Sequence, residues 1–422
     1  MKTEKPLTLG SLFDGSGGFP LGGLLAGITP VWASEIEPFP IRVTTKRLPF
    51  MKHYGNISAM DGGKIEPADI ITFGSPCQDM SVAGRRDGLD GKRSSLFYEA
   101  VRIIKEMRCA TGGRYPRYIV WENVPGAFSS NKGEDLKAVL EAVIGIAEPN
   151  AQVPMPEKAR WPYTDLYLGD GWSVAYRTLD AQYWGVPQRR RRIYLVADFA
   201  GRGAGTKQQT FVLQGSMIGR DDKNDPQGDG INEVVSFTLN TIDRHAVYTM
   251  TTGSFAQVSE DKAPTVLARD YKDPTAVCYG IGRDTFNQGQ NAKFAPTFEE
   301  ELQPTLVAKG PGAIQSGYTV RRLTPTECAR LQGFPDNGCA DLGTEKPTDE
   351  EMYFWHKVFK TYSEVTGCKM KSDKQVAKWL KDPYSDSAEY KMWGNGVALP
   401  CVWFVLCGIV WYAQSGGDNA PI

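Results

Sequence analysis

Apolar residues in this chain occur as short runs, and between the runs they recur at every third or fourth position. Residues 96–107 and 136–146 show the second pattern, which is typical of helices that bury one face. Runs alternating with helical segments predict an α/β fold with a doubly wound, mostly parallel sheet. The strand-like runs are Leu7–Phe13, Val31–Ser34, Ile70–Phe73, Tyr118–Trp121 and Ile193–Ala197.

The pattern changes after Asp198. Residues 201–232 are rich in Gly, Asp, Gln and Lys and are expected to form a linker. Short β-prone runs then flank polar turns, which predicts successive hairpins in a smaller β-rich domain. A β-rich domain with no recognition function is an equally good interpretation of that pattern. The expected organisation is 1–199, 200–320 and 321–422.

The last segment returns to helical character. Thr324, with Pro325 and Glu327 behind it, has the signature of a capping box at a helix start. A charged, partly helical insert is expected at about 342–390. Residues 401–413 are strongly apolar but shorter than the roughly 20 residues that a bilayer-spanning helix needs, so a buried helix is expected there.

Composition narrows the function classes. Net charge is -1 over 422 residues, so a polyanion site would have to come from local clusters such as residues 189–192. The eight cysteines and three histidines show no paired spacing, so neither a metal site nor a disulfide framework is predicted. The first strand begins at Leu7, which leaves no room for a signal peptide and favours a reducing cytoplasm.

Reactive side chains follow two of the predicted strands, and a basic cluster flanks a third. Cys77 follows 70–73, Glu122 follows 118–121, and residues 188–192 precede 193–197. Ligand sites of open α/β sheets form at the carboxyl ends of strands, so Cys77 and Glu122 can converge in one cleft. A buried, inert thiol is the commoner fate of cysteine, and a carboxylate is more often a helix cap or half of an ion pair. The polar turn and Arg85-Arg86 nearby nevertheless favour a reactive thiolate.

A glycine-rich turn, Phe13 to Phe19, follows the first strand, and Glu35 follows the second. Glycines allow a sharp turn and close approach to a ligand, and a carboxylate at that place can accept hydrogen bonds from ribose. A plain tight turn explains the glycines alone. The strand before and the acid after them favour a nucleoside cofactor.

At this point the motifs, in order and spacing, resemble those of bacterial and phage DNA cytosine methyltransferases that modify carbon 5 of the base. The chain departs from the family where Asn56 replaces a common Asp and Gly396 a common Ser. Matches to the catalytic motifs are Cys77, Glu122, Gln188, Arg190 and Arg192. Matches to the cofactor motifs are Phe13, Gly15, Gly17, Gly18, Glu35, Asn56, Ile57, Pro76, Leu96, Asn395 and Val397.

The resemblance implies a Rossmann-like fold and transfer of a methyl group from S-adenosylmethionine to a flipped-out cytosine, through a covalent adduct with Cys77. Glu122 would act at ring nitrogen 3 and Arg190 at the ring carbonyl. Residues 200–320 would recognise the target sequence. The implied partner is double-stranded DNA, and a cognate restriction endonuclease is a second candidate partner. The resemblance also implies a monomer that acts at the nucleoid in the bacterial cytoplasm.

Two other functions remain open from the sequence. A tRNA cytosine methyltransferase would use the same chemistry, although the long β-rich segment favours duplex DNA. A non-catalytic DNA-binding subunit would need neither Cys77 nor Glu122 nor the glycine-rich turn. All three are present, which favours an enzyme.

Overall fold

The computed structural model describes residues 5–75, 96–157, 160–200 and 319–414. Between 200 and 319 it describes short strands and a few isolated positions. Of the strands up to residue 300, only the backbone is described.

An eight-stranded sheet forms the centre of the fold, with strand order β3-β2-β1-β4-β5-β8-β7-β6. Strands β1 to β5 run parallel, whereas β8, β7 and β6 are each antiparallel to the neighbour before them in that order. The predicted doubly wound, mostly parallel sheet is confirmed, but β6 and β7 were not predicted. The strands are β1 (Thr8–Leu12), β2 (Thr29–Ser34), β3 (Lys52–His53), β4 (Ile70–Phe73), β5 (Tyr118–Asn123), β6 (Thr164–Gly169), β7 (Trp172–Asp180) and β8 (Arg191–Asp198).

Helices cover both faces of the sheet. They are α1 (Gly18–Leu25), α2 (Pro38–Arg47), α3 (Leu96–Ala110), α4 (Glu134–Ile144), α5 (Pro325–Leu331), α6 (Asp349–Thr366), α7 (Asp373–Lys381), α8 (Asp386–Asn395) and α9 (Leu399–Gln414). Short 3-10 turns lie at Ile57–Ala59, Pro125–Phe128, Ser130–Gly133 and Ala181–Tyr183.

Strand β5 shows how the two layers form. Ile119 and Trp121 pack with α3 and α4, while Tyr118 and Val120 pack with α1 and α9 on the opposite face. All four are buried, as expected for a central strand covered on both sides. The buried strand therefore delivers its polar end, Glu122 and Asn123, to the edge of a rigid sheet.

The expected charged insert is folded against the main domain. Trp355, Phe359, Val376 and Leu380 of α6 and α7 form one apolar cluster with Ile41 of α2. The α2 side chain of Arg42 also donates from Nε to the Leu342 carbonyl at 2.7 Å, and its guanidinium lies 5.5 Å from the Trp355 ring centre. These contacts fix the insert beside α2, the helix that follows Glu35.

The sequence predicted the start of α5 correctly but not the burial of α9. The capping box is confirmed, since Thr324 Oγ1 accepts from the Glu327 amide at 3.2 Å and Glu327 Oε2 accepts from the Thr324 amide at 2.8 Å. Helix α9 was expected to be buried, but it packs on α1 with one face only. Its other face leaves Trp403, Phe404 and Trp411 exposed.

No single helix among those that the structure describes is long and apolar enough to span a membrane. Helices α8 and α9, bent by 41° at their junction, meet the length and composition criteria only as a pair.

The region after β8 contains short antiparallel strands. The pairs are β9 (Phe211–Leu213) with β10 (Ile231–Glu233) and β11 (Tyr248–Met250) with β12 (Val258–Glu260), and a four-stranded sheet joins β13 (Cys278–Ile281), β14 (Phe298–Glu300), β15 (Ala313–Ser316) and β16 (Thr319–Arg322). The predicted linker at 201–232 is wrong where β9 and β10 pair. The expected boundary at 320 falls inside β16, and the boundaries stay a prediction.

Candidate active site

The glycine-rich turn after β1 has the backbone that its glycines predict. Gly15 and Gly17 have φ values of 55° and 76°, and Phe13 between strand and turn has a φ of 54°. A side chain on Gly18 is excluded as well, because an added Cβ would lie 2.4 Å from Cγ2 of Val397. The first and last cofactor motifs of the sequence are therefore in direct contact. Asn395, beside Val397, is exposed at the end of α8.

Glu35 holds this turn in place. Its Oε2 accepts from the Gly15 amide at 2.8 Å, and its Oε1 accepts from the amides of Ile36 and Glu37 at 2.7 and 2.9 Å. Burial raises the pKa of Glu35, while the three amide hydrogen bonds oppose that rise. Oε2 accepts one of these bonds, so a carboxylate oxygen keeps capacity for a further donor such as a ribose hydroxyl.

The remaining predicted cofactor residues lie at two linked elements. Asn56 Oδ1 accepts from the Ser58 amide at 3.1 Å, so its side chain caps the 3-10 turn that begins with buried Ile57. Leu96 begins α3, and Arg102 of the same helix donates to the Ile57 carbonyl at 3.1 Å. Helix α3 therefore begins at Leu96 and is hydrogen-bonded, through Arg102, to the main chain of Ile57.

The ends of β4 and β5 are tied together. Asn123 Nδ2 donates to the Ser75 carbonyl at 3.3 Å, and Trp121 Nε1 donates to Ser75 Oγ at the same distance. An added Cβ on Gly74 would lie 3.1 Å from Glu122 Oε2. Pro76 and Cys77 follow directly but lie, with residues up to 95, outside the described residues. Ser75 is the last described position before the thiol.

Glu122 is buried, and the charges of two arginines act on its carboxyl. Its Oε1 lies 3.1 Å from Arg192 Nε, a charge contact without the alignment of a hydrogen bond. Burial raises the pKa of Glu122, and the nearby Arg192 and Arg190 charges lower it. Burial thus lets the Glu122 carboxyl keep a proton to a higher pH than an exposed glutamate would.

Arg190 is placed differently from Arg192. Its guanidinium donates to the main-chain carbonyls of Leu306 at 3.3 Å, Gly394 at 3.5 Å and Gly396. Burial lowers its pKa to about 9, with the Arg192 charge as the second cause. Both Nη atoms of Arg190 are engaged with backbone carbonyls, while its Nε has no hydrogen-bond partner among the described residues. The role predicted for Arg190 at the ring carbonyl therefore fits Arg192 better.

Gln188, two residues before Arg190, is fully buried. Neither its Oε1 nor its Nε2 has a hydrogen-bond partner in the described part of the chain. A main-chain bridge joins it to Gln303, so the arginine motif connects the catalytic sheet to the β-rich segment.

Three buried polar residues at this edge were not found from the sequence. Asp180 of β7 accepts from the Arg190 amide at 3.0 Å, and Asp14 and Ser16 lie within the glycine-rich turn. The sequence could have indicated Asp14 and Ser16, because both lie inside the predicted glycine-rich turn. Asp180 gave none, because β7 was not predicted.

Metal ligation has no support in the described residues, where no group of three or more His, Cys, Asp or Glu side chains could hold an ion.

Residues 7–146 and 168–353 match the family model of the C-5 cytosine-specific DNA methylases. The chain belongs to this family, and the resemblance inferred from its motifs is confirmed. Methylases of this family use S-adenosylmethionine as the methyl donor. The glycine-rich turn with its two buried polar side chains fits such a ligand.

Similar proteins come from phages and bacteria. A protein of Escherichia phage P1 named DNA N-6-adenine-methyltransferase is 29% identical over 94% of this chain and 60% of its own length. The type II methyltransferase M2.BsuMI of Bacillus subtilis is 30% identical over 53% of this chain and 48% of its own. The match thus spans 60% and 48% of the length of these two relatives.

Among solved structures, the S. pombe Dnmt2 methyltransferase matches with a TM-score of 0.50 and 14% sequence identity, over 97% of this chain and 99% of that one. At this identity the likeness concerns the fold alone.

Proposed function

We propose that this chain methylates carbon 5 of cytosine in double-stranded DNA, with S-adenosylmethionine as the donor. The observation that carries the proposal is the buried carboxyl of Glu122, which lies beside Arg192 and beside Gly74, three positions before Cys77 in the sequence. Family membership supports the same reaction.

The residues suit a covalent route. Carbon 5 of cytosine is a weak nucleophile, and addition of the Cys77 thiolate to carbon 6 makes it electron-rich. Glu122 gives a proton to ring nitrogen 3 as charge develops there. Arg192 stabilises the ring carbonyl oxygen from the same side. Carbon 5 then takes the methyl group, with S-adenosylhomocysteine as the leaving group. Loss of the carbon 5 proton to a base, expulsion of the Cys77 thiolate and return of the nitrogen 3 proton to Glu122 complete the cycle.

The cofactor would be held by three parts of the chain. Glu35 would hold the ribose, Asn56 and Ile57 the adenine, and the turn from Gly15 to Gly18 the rest of the molecule. S-adenosylmethionine supplies the methyl group from its sulfonium when bound. The residues of the chain would bind the donor next to the target base and would exclude water from the thiolate.

The target base must leave the duplex, because stacking shields carbon 6. Flipping costs a few kcal/mol, which contacts to phosphates and to the vacated space have to offset. We place sequence recognition in 200–320, whose antiparallel strands would present turns to the major groove. Residues 243–245 and 269–272 and Lys309 are candidates to read the bases, and they lie outside the described residues. A monomer acting at the nucleoid, with or without a cognate restriction endonuclease, fits these assignments.

The phage P1 relative's name offers a second product, N6-methyladenine. An exocyclic amine can attack a methyl donor directly and needs no thiol adduct. The Cys77 and Glu122 motifs therefore favour cytosine.

Nucleoside analysis of methylated DNA separates these products. Duplex DNA of mixed sequence is incubated with the protein and isotopically labelled S-adenosylmethionine, digested, and examined by mass spectrometry. Label in 5-methyldeoxycytidine, lost with Cys77→Ser, is expected. Label only in N6-methyldeoxyadenosine, or only in a parallel tRNA sample, would overturn the proposal.

A further inference from the structure

Residues 357–381, from the middle of α6 to the end of α7, carry a local positive charge. Seven lysines stand against two acids, Glu364 and Asp373, which gives a net charge of +5 in a chain whose total is -1. The family match ends at residue 353, so this segment lies beyond the matched residues. The seven residues, called the lysine surface below, are Lys357, Lys360, Lys369, Lys371, Lys374, Lys378 and Lys381.

Most of this charge is not neutralised by acids of the described chain. Lys360 Nζ lies 3.9 Å from Glu364 Oε1, and Lys381 Nζ lies 2.7 Å from Glu345 Oε2. The other five lysines form no ion pair with an acid that the structure describes. Four of those five are exposed, and Lys371 is half-buried. The lysine surface is therefore a local basic cluster of the kind that attracts a polyanion.

The lysines of α7 repel one another. Lys374, Lys378 and Lys381 are spaced by four and then three positions, so they share one face of the helix, opposite buried Val376 and Leu380. Like charges at these spacings destabilise a helix. The fold alone gains nothing from the arrangement, whereas a polyanion bound along this face would remove the repulsion.

Aromatic packing holds the two helices together. The Trp379 ring of α7 lies 5.1 Å from the Trp355 ring and 5.0 Å from the Phe359 ring, both on α6. The Lys371 ammonium lies 5.5 Å from the Phe359 ring centre. Because the apolar faces of α6 and α7 are buried against each other and against α2, they are not free to enter the surface of a bilayer. The exposed charges are what the hairpin offers to a partner.

The C-terminal end of α6 points to the edge of the sheet at which β2 and β5 end. Near the start of α6, Trp355 lies against Arg42 of α2. Two turns later, Tyr362 lies close to Glu37, because burial raises the pKa of Tyr362 and the Glu37 charge is the second cause. Glu37 immediately precedes α2, which runs away from this edge, so α6 runs toward it. The residues that follow α6 therefore lie on the side of the sheet that carries Glu122.

We propose that the lysine surface binds backbone phosphates of duplex DNA outside the methylated site. Lysine ammonium groups contact phosphate oxygens as point charges and do not read bases, so these contacts add affinity without sequence preference. The inference rests on the proposed function, which supplies duplex DNA as the polyanion. Duplex held at the edge where β5 ends continues past the end of α6 to the lysine surface.

The salt dependence of DNA binding tests the inference. Lys369→Gln, Lys374→Gln and Lys378→Gln are combined, and binding to a labelled random-sequence duplex of about 40 base pairs is measured over a salt series. Each lost phosphate contact lowers the slope of log K against log salt by about 0.9. The slope should therefore fall by about 2 to 3, and the affinity at about 0.15 M salt by roughly 10- to 100-fold.

Three lysines elsewhere on the chain provide the matched control. Lys5, Lys64 and Lys105 are exposed and lie toward the opposite edge of the sheet, where β1, β4 and β5 begin. Their combined replacement by Gln removes the same charge. The slope should then change by less than about 0.5, because none of these side chains meets a phosphate.

Methyl transfer gives a second readout. On duplexes of increasing length that carry one methylated site, the KM for DNA should rise more in the lysine variant than in the wild type, and the difference should grow with length. The kcat should change less than KM. This dependence on length distinguishes phosphate contacts outside the site from a structural defect, which would affect all lengths alike.

An unchanged salt slope, an equal fall in the control variant, or a KM difference independent of duplex length would overturn the inference. Methyl transfer by the wild type would then leave the proposed function standing. Loss of binding to phosphatidylserine vesicles or to polyglutamate in the lysine variant, with an unchanged DNA slope, would assign the surface to another partner and overturn the inference as well. A wild-type protein that neither binds nor methylates duplex DNA would overturn both.

Discussion

Arg192 Nε lies 3.1 Å from Glu122 Oε1, although 70 residues of chain separate the two side chains. Strand β8 makes this possible because it runs antiparallel to β5. Its first residues therefore lie beside the end of β5, in a register that pairs Asn123 with Ile193. The acid and the cation of the proposed site thus meet at one edge of the sheet.

Replacing Glu122 by Gln tests the acid directly. The amide keeps the shape but gives up no proton, so kcat for methyl transfer should fall by about 10² to 10⁴, the usual share of a general acid. Transfer of labelled methyl to duplex DNA measures it, with S-adenosylhomocysteine binding as a check on folding. A kcat within a factor of two of the wild type would rule out the proton-donor role.

Arg192→Met should lower kcat by about 10², as loss of one oxyanion donor does. It should also move the alkaline limb of the pH–rate profile to higher pH. Burial raises the pKa of Glu122 and Arg192 opposes that rise, so without the cation the pKa rises further and Glu122 stays protonated over a wider range. A limb that stays in place, or moves to lower pH, would contradict this pairing.

The sequence predicted the central strands of the sheet well and the contacts between the candidate site residues poorly. Apolar runs located β4 and β5 because buried central strands must be apolar on both faces. The Glu122–Arg192 contact depends on the direction of β8, which no local pattern encodes. Strand β6 was missed because it is an edge strand whose Leu166 and Leu168 face solvent.

The roles of the two motif arginines show the same limit. Alternation along a strand places Arg190 and Arg192 on one side, and both charges do act on Glu122. Only tertiary packing decides that Arg190 meets the carbonyls of Leu306, Gly394 and Gly396 while Arg192 meets the carboxyl.

Arg190→Met should therefore destabilise the fold. The substitution leaves two buried carbonyls and one partly buried carbonyl short of a donor but also removes the cost of burying a charge, so the free energy of unfolding should fall by about 2 kcal/mol. Arg191→Met, at an exposed neighbouring position, is the matched control and should change it by less than about 0.5 kcal/mol. Denaturant unfolding compares them. Equal stability of the two variants would mean that the carbonyl contacts contribute little.

The contact between the first and last cofactor motifs predicts a rescue. Gly18→Ala places a methyl group 2.4 Å from Val397 Cγ2, which must push the two segments apart and weaken S-adenosylhomocysteine by about tenfold or more. Gly18→Ala combined with Val397→Ala removes the clash and should recover most of that affinity. Additive losses in the double variant would show that Gly18 is needed for another reason.

A denaturation-resistant conjugate is the most direct measure of the covalent route through Cys77. Duplex oligonucleotides of many sequences containing 5-fluorocytosine are incubated with the protein and S-adenosylmethionine, and intact mass is measured after denaturation. Because fluorine at carbon 5 cannot leave as a proton does, the wild-type protein should remain bonded to DNA and Cys77→Ser should not. The covalent route is contradicted if no sequence gives a conjugate, or if the conjugate persists without the thiol.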